Sequence, residues 1–232
     1  MQAHVIDRIV DACGPREVVD TVRPYLSESR RRRIEELLDR RISSIEVAIE
    51  SPAHAHNAAA VVRSAEALGV VGVHVISAEH EALTRRRTTK GAHHWVWARR
   101  HDDLDSFLAQ TQGAFVLAGA WPDAPVALEE LPLERPLCLL FGNEHRGLSP
   151  RAREACALGF RVPMVGMSES LNVSVCAAIA MYVTTARKRA AGIVGDLSPA
   201  TREALRARHY LHSVDGRLVE ALFDPAAHLA KG

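Results

Sequence analysis

The chain has 232 residues, of which 47% are hydrophobic and 25% are charged, and its formal net charge is +1. These values are typical of a folded globular protein with one substantial domain, and they exclude a disordered chain. Only 5% of the residues are aromatic, which argues against a surface that stacks many unpaired bases. The four cysteines have no paired spacing and no apolar run could cross a bilayer, so we expect a cytoplasmic protein without disulfides, metal or membrane span.

The predicted elements begin with an amphipathic helix at Leu26–Arg41, which carries the run Arg30, Arg31, Arg32 and Arg33. A β-α-β unit follows, made of the strand Ile45–Ile49, the helix Asn57–Leu68 ended by Gly69, and the strand Gly72–Ile76. Further strands are predicted at Trp95–Ala98, Phe115–Ala118, Leu137–Phe141 and Phe160–Pro163. Further helices are predicted at Asp102–Gln110, Ser149–Leu158, Asn172–Arg189, Pro199–Arg208 and Gly216–Phe223.

This alternation of strands and helices predicts an α/β fold with a mainly parallel sheet flanked by helices. The composition changes towards both ends of the chain. We therefore expect an N-terminal helical extension at residues 1–43, a main domain at 44–190 and a C-terminal helical extension at 191–232. The sequence of residues 1–25 suggests no role.

Two common nucleotide-binding motifs are missing from the loops. The loop after the first strand, Ser51 to Asn57, contains no glycine, so it cannot form the glycine-rich turn of a Rossmann fold. Gly142 and Gly147 have the spacing of a P-loop, but Leu148 and Ser149 follow where lysine and a hydroxyl residue are needed. Chemistry on ATP is therefore not expected.

Three segments that follow predicted strands carry a more specific pattern. They are NAAAVVR at 57–63, LLFGNEHRGLS at 139–149 and VPMVGMSESLNVSV at 162–175. In this order they resemble the three motifs of the SpoU (TrmH) family, a branch of the SPOUT superfamily of RNA 2′-O-methyltransferases. The similarity spans about residues 28 to 195 and is greatest to the branch that methylates tRNA guanosine. Arg146 departs from the second motif, at a position where members of the family vary.

The resemblance implies a SPOUT-type domain whose C-terminal part is threaded into a deep trefoil knot. It also implies S-adenosylmethionine as cofactor, tRNA as partner, a homodimer with both active sites at its interface, and no metal. The implied reaction is 2′-O-methylation of the D-loop guanosine at position 18. Two alternatives stay open: the same chemistry on ribosomal RNA or on another tRNA nucleotide, and a non-catalytic RNA-binding protein that kept the knot.

The resemblance assigns catalytic roles to five residues. Arg63 would contact an RNA phosphate and help to activate the ribose hydroxyl, although a guanidinium is a poor general base at neutral pH. Asn57 would orient Arg63, cap its helix, or do both. Glu144 would order the loops or orient the arginine, and Ser170 and Asn172 would bind polar groups at a helix entry.

The expected cofactor residues are Gly119, Leu140, Gly142, Val162, Met164 and Leu171. Val162 and Leu171 would bracket the adenine, while Gly119 and Gly142 would allow close approach. For RNA we expect phosphate contacts from two basic clusters: Arg30, Arg31, Arg32 and Arg33, and Arg85, Arg86, Arg87 and Lys90. The second cluster lies in a stretch of 17 residues, 85–101, with six positive charges and no acid. Its tryptophans, Trp95 and Trp97, are expected to belong to the core.

Overall fold

The computed structural model describes residues 3–78, 89, 91–111 and 113–223, without the side chains of residues 3 and 4. These residues form two compact units. Unit 1 combines the chain up to Arg41 with the chain from Gly195 onward, and unit 2 is the continuous segment Ile42–Val194. The helices expected as two separate extensions therefore share one unit. Arg85, Arg86, Arg87 and Lys90 lie outside the described residues.

The regular elements of the described chain are numbered in chain order. The helices are α1 (Ala3–Cys13), α2 (Pro15–Val22), α3 (Glu28–Leu38), α4 (Ala55–Leu68), α5 (Leu104–Thr111), α6 (Pro150–Ala155), α7 (Val173–Ala190), α8 (Pro199–His212) and α9 (Gly216–Phe223). The strands are β1 (Ile42–Glu50), β2 (Val70–Ile76), β3 (Trp97–His101), β4 (Val116–Ala120), β5 (Val126–Ala127), β6 (Leu137–Phe141) and β7 (Leu158–Arg161). Short 3-10 turns occur at Arg23–Tyr25, Ala92–His94 and Leu128–Glu130. No described helix has the length and apolar character to cross a membrane.

Unit 2 is built on a seven-stranded sheet in the order β3-β2-β1-β6-β4-β7-β5. Every strand pair in it is parallel, which confirms the predicted α/β class and mainly parallel sheet. All seven residues of β2 are buried, because helices cover both faces of the sheet. On one face α4 and α7 pack on Val47 and Val73, and on the other α5 and α6 pack on Ala48 and Leu140.

Some predicted helix and strand bounds agree with the structure, and others differ by a few residues. The strand Leu137–Phe141 and the helix Gly216–Phe223 are confirmed, and Gly69 ends α4 in a left-handed conformation as predicted. The helix predicted at Ser149–Leu158 ends instead at Ala155, because Cys156 is extended and Leu158–Phe160 pair with β4. The strand predicted at Phe160–Pro163 consequently begins and ends two residues earlier.

Other differences lie where the sequence signal was weak. The strand predicted at Trp95–Ala98 runs from Trp97 to His101, since a 3-10 turn precedes it. The two-residue strand β5 was not predicted, and the uninterpreted N-terminal residues form α1 and α2.

Unit 1 is a small helical assembly organised around α8, which contacts α1, α2 and α3. Its apolar side chains are buried on one stripe of each helix, among them Ile6, Val18, Ile34, Leu205 and Leu211. The Ser27 hydroxyl accepts a hydrogen bond from the Arg30 amide and so begins α3. The carboxylate of Glu35 in α3 accepts hydrogen bonds of 2.6–2.8 Å from Arg202 and Arg206 of α8.

Candidate active site

The three motif segments lie at one edge of the sheet in unit 2. They follow β1, β6 and β7, and parallel strands place their carboxyl ends at a common edge. β1 and β6 are neighbours in the sheet, so the first two loops begin side by side. The sequence-distant motifs therefore meet because of the strand order.

Hydrogen bonds join the first loop to the second. Asn143 Nδ2 donates to the carbonyl of Ser51 over 2.7 Å, and the Ala53 amide donates to Glu144 Oε2 over 2.7 Å. Ser51 has a φ of 47°, the one positive φ among the described non-glycine residues. Beneath them, the carboxylate of Glu50 accepts from the amide and the hydroxyl of Ser149, at 2.8 and 2.6 Å. These bonds hold both loops in one arrangement.

Asn57 is the centre of a polar network that links all three motifs. Its side chain is 3% exposed; its Nδ2 donates to Glu144 Oε1 over 2.5 Å, and its Oδ1 accepts from Asn172 Nδ2 over 3.3 Å. Asn172 Oδ1 in turn accepts from the Ser174 amide over 2.9 Å, which caps α7. Each amide atom thus has a partner of the correct polarity.

The predicted helix-capping role of Asn57 is wrong. α4 begins at Ala55 with His54 as its N-cap residue, so Asn57 is the third residue of the helix. Its amide pairs with Glu144 and Asn172, and neither of those bonds involves Arg63.

The hydrogen bonds favour the ionised form of Glu144. Burial alone raises the pKa of this carboxyl, but the hydrogen bonds from the Asn57 side chain and the Ala53 amide outweigh it, so that the pKa is lowered. Glu144 is therefore a fixed negative charge at neutral pH, and it is better suited to holding the loops than to accepting a proton.

Arg63 does not lie with this network. At 100° per residue, the six-residue spacing turns its side chain roughly 120° away from that of Asn57 around α4. Arg63 is exposed and borders a shallow recess with Ala60, Ser64 and Trp95. Within the described ranges its guanidinium has no hydrogen-bond or ion-pair partner. Contrary to expectation, neither Asn57 nor Glu144 orients it inside one chain.

A cavity of about 430 Å³ opens between the second and third motif loops. This volume is in the range of pockets that hold small molecules and cofactors. Its lining includes six of the expected site residues: Gly142, Glu144, Val162, Met164, Ser170 and Leu171. Gly119 and Leu140 do not line it. Leu140 is buried in β6 on the face covered by α5 and α6, and Gly119 lies in β4 against the side chains of Cys156, Trp121 and Leu148.

The two expected glycines make room for protein atoms. A Cβ on Gly142 would lie 2.1 Å from the backbone of Gly147 and of Leu148, so the second loop can close only over glycine. A Cβ on Gly119 would lie 2.7–2.9 Å from side-chain atoms of Cys156, Trp121 and Leu148. Glycine at both positions is thus explained by packing within the chain.

Trp121 lines the cavity and was missed in the sequence. It follows β4 directly, in a segment that none of the three motifs includes. An isolated tryptophan after a predicted strand carries no signal of its own, because the glycines that receive its ring lie two and 38 residues away in the sequence.

The described basic residues differ in their surroundings. In unit 1, Arg30, Arg32 and Arg33 are exposed and Arg31 is half-buried, and Arg33 forms an ion pair of 3.5 Å with Glu36. In unit 2, Trp95 and Trp97 are half-buried and not part of the deep core. No group of three or more histidine, cysteine or acidic side chains in the described ranges is arranged to hold a metal.

Comparison with known proteins gives a consistent family. The sequence model of the SpoU rRNA methylase family matches residues 44–182. The tRNA (guanosine(18)-2′-O)-methyltransferase of Thermus thermophilus is 35% identical over 170 residues, covering 72% of this chain and 87% of that protein. The Aquifex aeolicus TrmH/SpoU tRNA modifying enzyme superimposes with a TM-score of 0.72 at 28% identity, over 81% of this chain and 98% of that one.

A further solved structure shares the fold. It is the SpoU methyltransferase AviRb from Streptomyces viridochromogenes, crystallised in complex with the cofactor AdoMet, with a TM-score of 0.56 and 24% identity over 62% of this chain and 60% of that one. The matched segment 44–182 contains all three motif loops, the Asn57–Glu144–Asn172 network and the lining of the cavity. By sequence and by fold, this chain belongs to the SpoU rRNA methylase family.

Proposed function

We propose that this chain is a tRNA (guanosine(18)-2′-O)-methyltransferase that uses S-adenosylmethionine. The observation that carries the proposal is the network of Asn57, Glu144 and Asn172 beside a cofactor-sized cavity. Relatives that carry this name in Thermus thermophilus and Escherichia coli are 35% and 32% identical over 72% of the chain. The guanosine at position 18 is the target in both names.

The residues of the cavity suit S-adenosylmethionine. Val162, Met164 and Leu171 supply apolar surface for the adenine and the methionine chain, while Ser170 and loop amides supply polar contacts. When bound, the cofactor supplies a methyl group on a sulfonium, which a ribose 2′-oxygen can attack. Gly119 and Leu140 would contribute only through the strands that support the loops.

We assign the deep trefoil knot expected for the family to the C-terminal part of unit 2. Support comes from the likeness to SpoU enzymes and from the strand order, in which β6 lies between β1 and β4 although it follows both in the chain. Such crossings bring the second and third motif loops onto one cavity.

A homodimer accounts for two features of unit 2 that a single chain leaves unexplained. The first is a row of exposed apolar side chains on the third loop and α7: Val165, Met167, Leu171, Val175 and Tyr182. Val165 and Met167 are fully exposed, and apolar patches of this kind mark interfaces. The second is Arg63, which borders a separate recess and does not line the cavity of its own chain. A second copy would cover the patch and supply its Arg63 to this site.

In this proposal Arg63 holds an RNA phosphate and stabilises charge at the reacting hydroxyl. Its guanidinium keeps its proton at neutral pH, so the hydroxyl proton passes to phosphate or to water. Asn57 and Glu144 fix the loops, and Ser170 and Asn172 position the ribose at the entry to α7. The positively charged residues of both basic clusters, at 30–33 and at 85–87 with Lys90, would bind phosphates along the tRNA.

The test is methyl transfer from labelled S-adenosylmethionine to unmodified transcripts of tRNA and of ribosomal RNA. The product is mapped by nuclease digestion, and a tRNA with adenosine in place of guanosine 18 is included. Arg63→Ala is compared with Arg135→Ala, which removes an exposed arginine outside the site. We expect label on the 2′-oxygen of guanosine 18, a loss of about a hundredfold or more in Arg63→Ala, and normal transfer in Arg135→Ala.

Each other result has a definite meaning. Label at another nucleotide, or on ribosomal RNA alone, would reject guanosine 18 as the target but support the methyl-transfer reaction. Cofactor binding without transfer to any RNA would reject catalysis and leave a non-catalytic RNA-binding protein. A mixture of Arg63→Ala and Asn172→Ala chains that recovers activity would support a site shared between two copies.

A further inference from the structure

Trp121 forms one wall of the cavity and is fixed there by three contacts. Its backbone amide donates to the carbonyl of Phe160 over 3.1 Å, which ties the end of β4 to β7. Its ring lies on Gly159, where a Cβ would meet ring atoms at 2.0–2.8 Å, and also reaches Gly119. The indole therefore occupies a place that two glycines keep open.

An arginine holds the ring from a second direction. The guanidinium carbon of Arg153, in α6, lies 4.5 Å from the centroid of the Trp121 ring. Arg153 itself is held by Asp123, with an Nη2 to Oδ1 distance of 3.3 Å. A cation over an indole face is favourable by electrostatics alone. Trp121 thus has a set position before any ligand enters the cavity.

Trp121 is connected through Phe160 to Val162, another residue of the cavity lining. Phe160, whose carbonyl accepts the Trp121 amide, is two residues before Val162, and all three residues line the cavity. Val162 is a residue that the proposed function places against the adenine. A rigid indole offers an apolar edge to the cavity, and its ring covers Gly119 and Gly159.

We propose that Trp121 is the wall against which the purine of the cofactor lies, and that it sets the size of the purine this chain accepts. This inference rests on the proposed function, because it takes S-adenosylmethionine as the ligand. None of the three motif segments, 57–63, 139–149 and 162–175, contains this residue. Removing the indole opens a recess above the two glycines, which a larger purine can enter.

The experiment measures binding to the purified full chain, without RNA. The probes are S-adenosylhomocysteine and its N6-benzyl derivative, each titrated by calorimetry and by tryptophan fluorescence. Trp121→Ala is the main variant and Trp121→Phe keeps an aromatic ring. Trp97→Phe is the matched control. The guanidinium carbon of Arg99 lies 5.2 Å from the centroid of the Trp97 ring, so this tryptophan also contacts an arginine, but it does not line the cavity.

In the wild type we expect S-adenosylhomocysteine to change the tryptophan emission and to bind more tightly than the benzyl derivative. Trp121→Phe should lose most of the emission change, whereas Trp97→Phe should keep it. Trp121→Ala should bind S-adenosylhomocysteine about fivefold or more weakly, since it loses the apolar contact area that the indole edge offers to the purine. Its preference for the unsubstituted ligand over the benzyl derivative should fall about tenfold.

The preference ratio keeps the test valid if Trp121→Ala is less stable, because a loss of folded protein affects both ligands equally. Gly159→Ala tests the same wall, because a Cβ there would lie 2.0–2.8 Å from atoms of the indole, so the ring must shift. This variant should bind S-adenosylhomocysteine more weakly without binding the benzyl derivative more tightly. An unchanged emission response in Trp121→Phe, together with an unchanged ratio in Trp121→Ala, would overturn the assignment and leave the proposed function intact. If the wild type fails to bind S-adenosylhomocysteine, both are overturned.

Discussion

Gly142→Ala is the sharpest perturbation of the candidate site that the structure offers. The added methyl carbon would lie 2.1 Å from the carbonyl carbon of Gly147 and from the amide nitrogen of Leu148. Ordinary contact begins at 3.4 Å, so the loop must retreat by about 1.3 Å. Both neighbours are backbone atoms, so a side-chain rotation cannot relieve the overlap. The backbone of Gly142 does not have a positive φ, so the effect is steric alone.

The cost follows from the hydrogen bonds that the retreat disturbs. Asn143 and Gly147 exchange two backbone hydrogen bonds of 3.0 and 2.8 Å, and the same loop carries the bonds from Asn143 to Ser51 and from Ala53 to Glu144. At about 1 kcal/mol for each bond lost, and with part of the set surviving, we expect a destabilisation of about 3 kcal/mol. In a unit of this size that lowers Tm by roughly 6–12 °C.

The matched control is Gly166→Ala in the third loop. A Cβ there meets nothing within 4 Å in its own chain, so the variant should leave the fold of the chain unchanged. Thermal unfolding and calorimetric titration with S-adenosylhomocysteine are measured for both variants; we expect at least a tenfold weaker Kd for Gly142→Ala only. A Gly142→Ala protein with wild-type Tm and Kd would refute the argument that this glycine is required for loop closure.

Two predictions concern stability elsewhere in the chain. Glu35→Gln removes the charge that Arg206 and Arg202 bind in unit 1, and should cost about 1–2 kcal/mol in urea unfolding at pH 7. The hydrogen bond from Arg206 lowers the pKa of Glu35, so this stabilisation should disappear as the pH falls below about 4.5; an equal difference at pH 3 would contradict the ion-pair explanation. Burial, aided by the charge of His74, lowers the pKa of His101 to about 4 from 6.5, so the folded state favours the neutral ring. The free energy of unfolding of the wild type should therefore decrease as the pH falls from 6.5 to 4, and it should decrease less in His101→Gln. The same pH dependence in both proteins would show that another group is responsible.

The sequence predicted those parts of the fold that depend on local patterns. The uninterrupted apolar run Leu137–Phe141 gave a fully buried strand at its correct bounds, and Gly69 ended its helix because the left-handed conformation costs glycine little. The bounds of β7 were wrong because pairing with β4, which is non-local, decides where that strand begins. β5 has only two residues, too few for any periodicity.

For the candidate site, the motifs identified the partners but not their geometry. Asn57, Glu144 and Asn172 were singled out by resemblance, and only the parallel order of β1 and β6 shows why they meet. The separation of Arg63 from Asn57 could have been predicted, because six residues do not return to the same helix face. The role of Trp121 could not, since it depends on Gly159 in a strand that is not adjacent in sequence.

Unit 1 is made of two segments that are distant in the sequence, which affects its folding during synthesis on the ribosome. α1, α2 and α3 are made before unit 2, but α8, the helix on which they pack, is made only after all of unit 2. At about 5–20 residues per second, the nascent helices wait on the order of ten seconds or more with Ile34 and its apolar neighbours uncovered. We therefore expect this segment to depend on a chaperone that shields it co-translationally. A chain truncated after Val194 should be insoluble, because it lacks the helix that covers these apolar side chains.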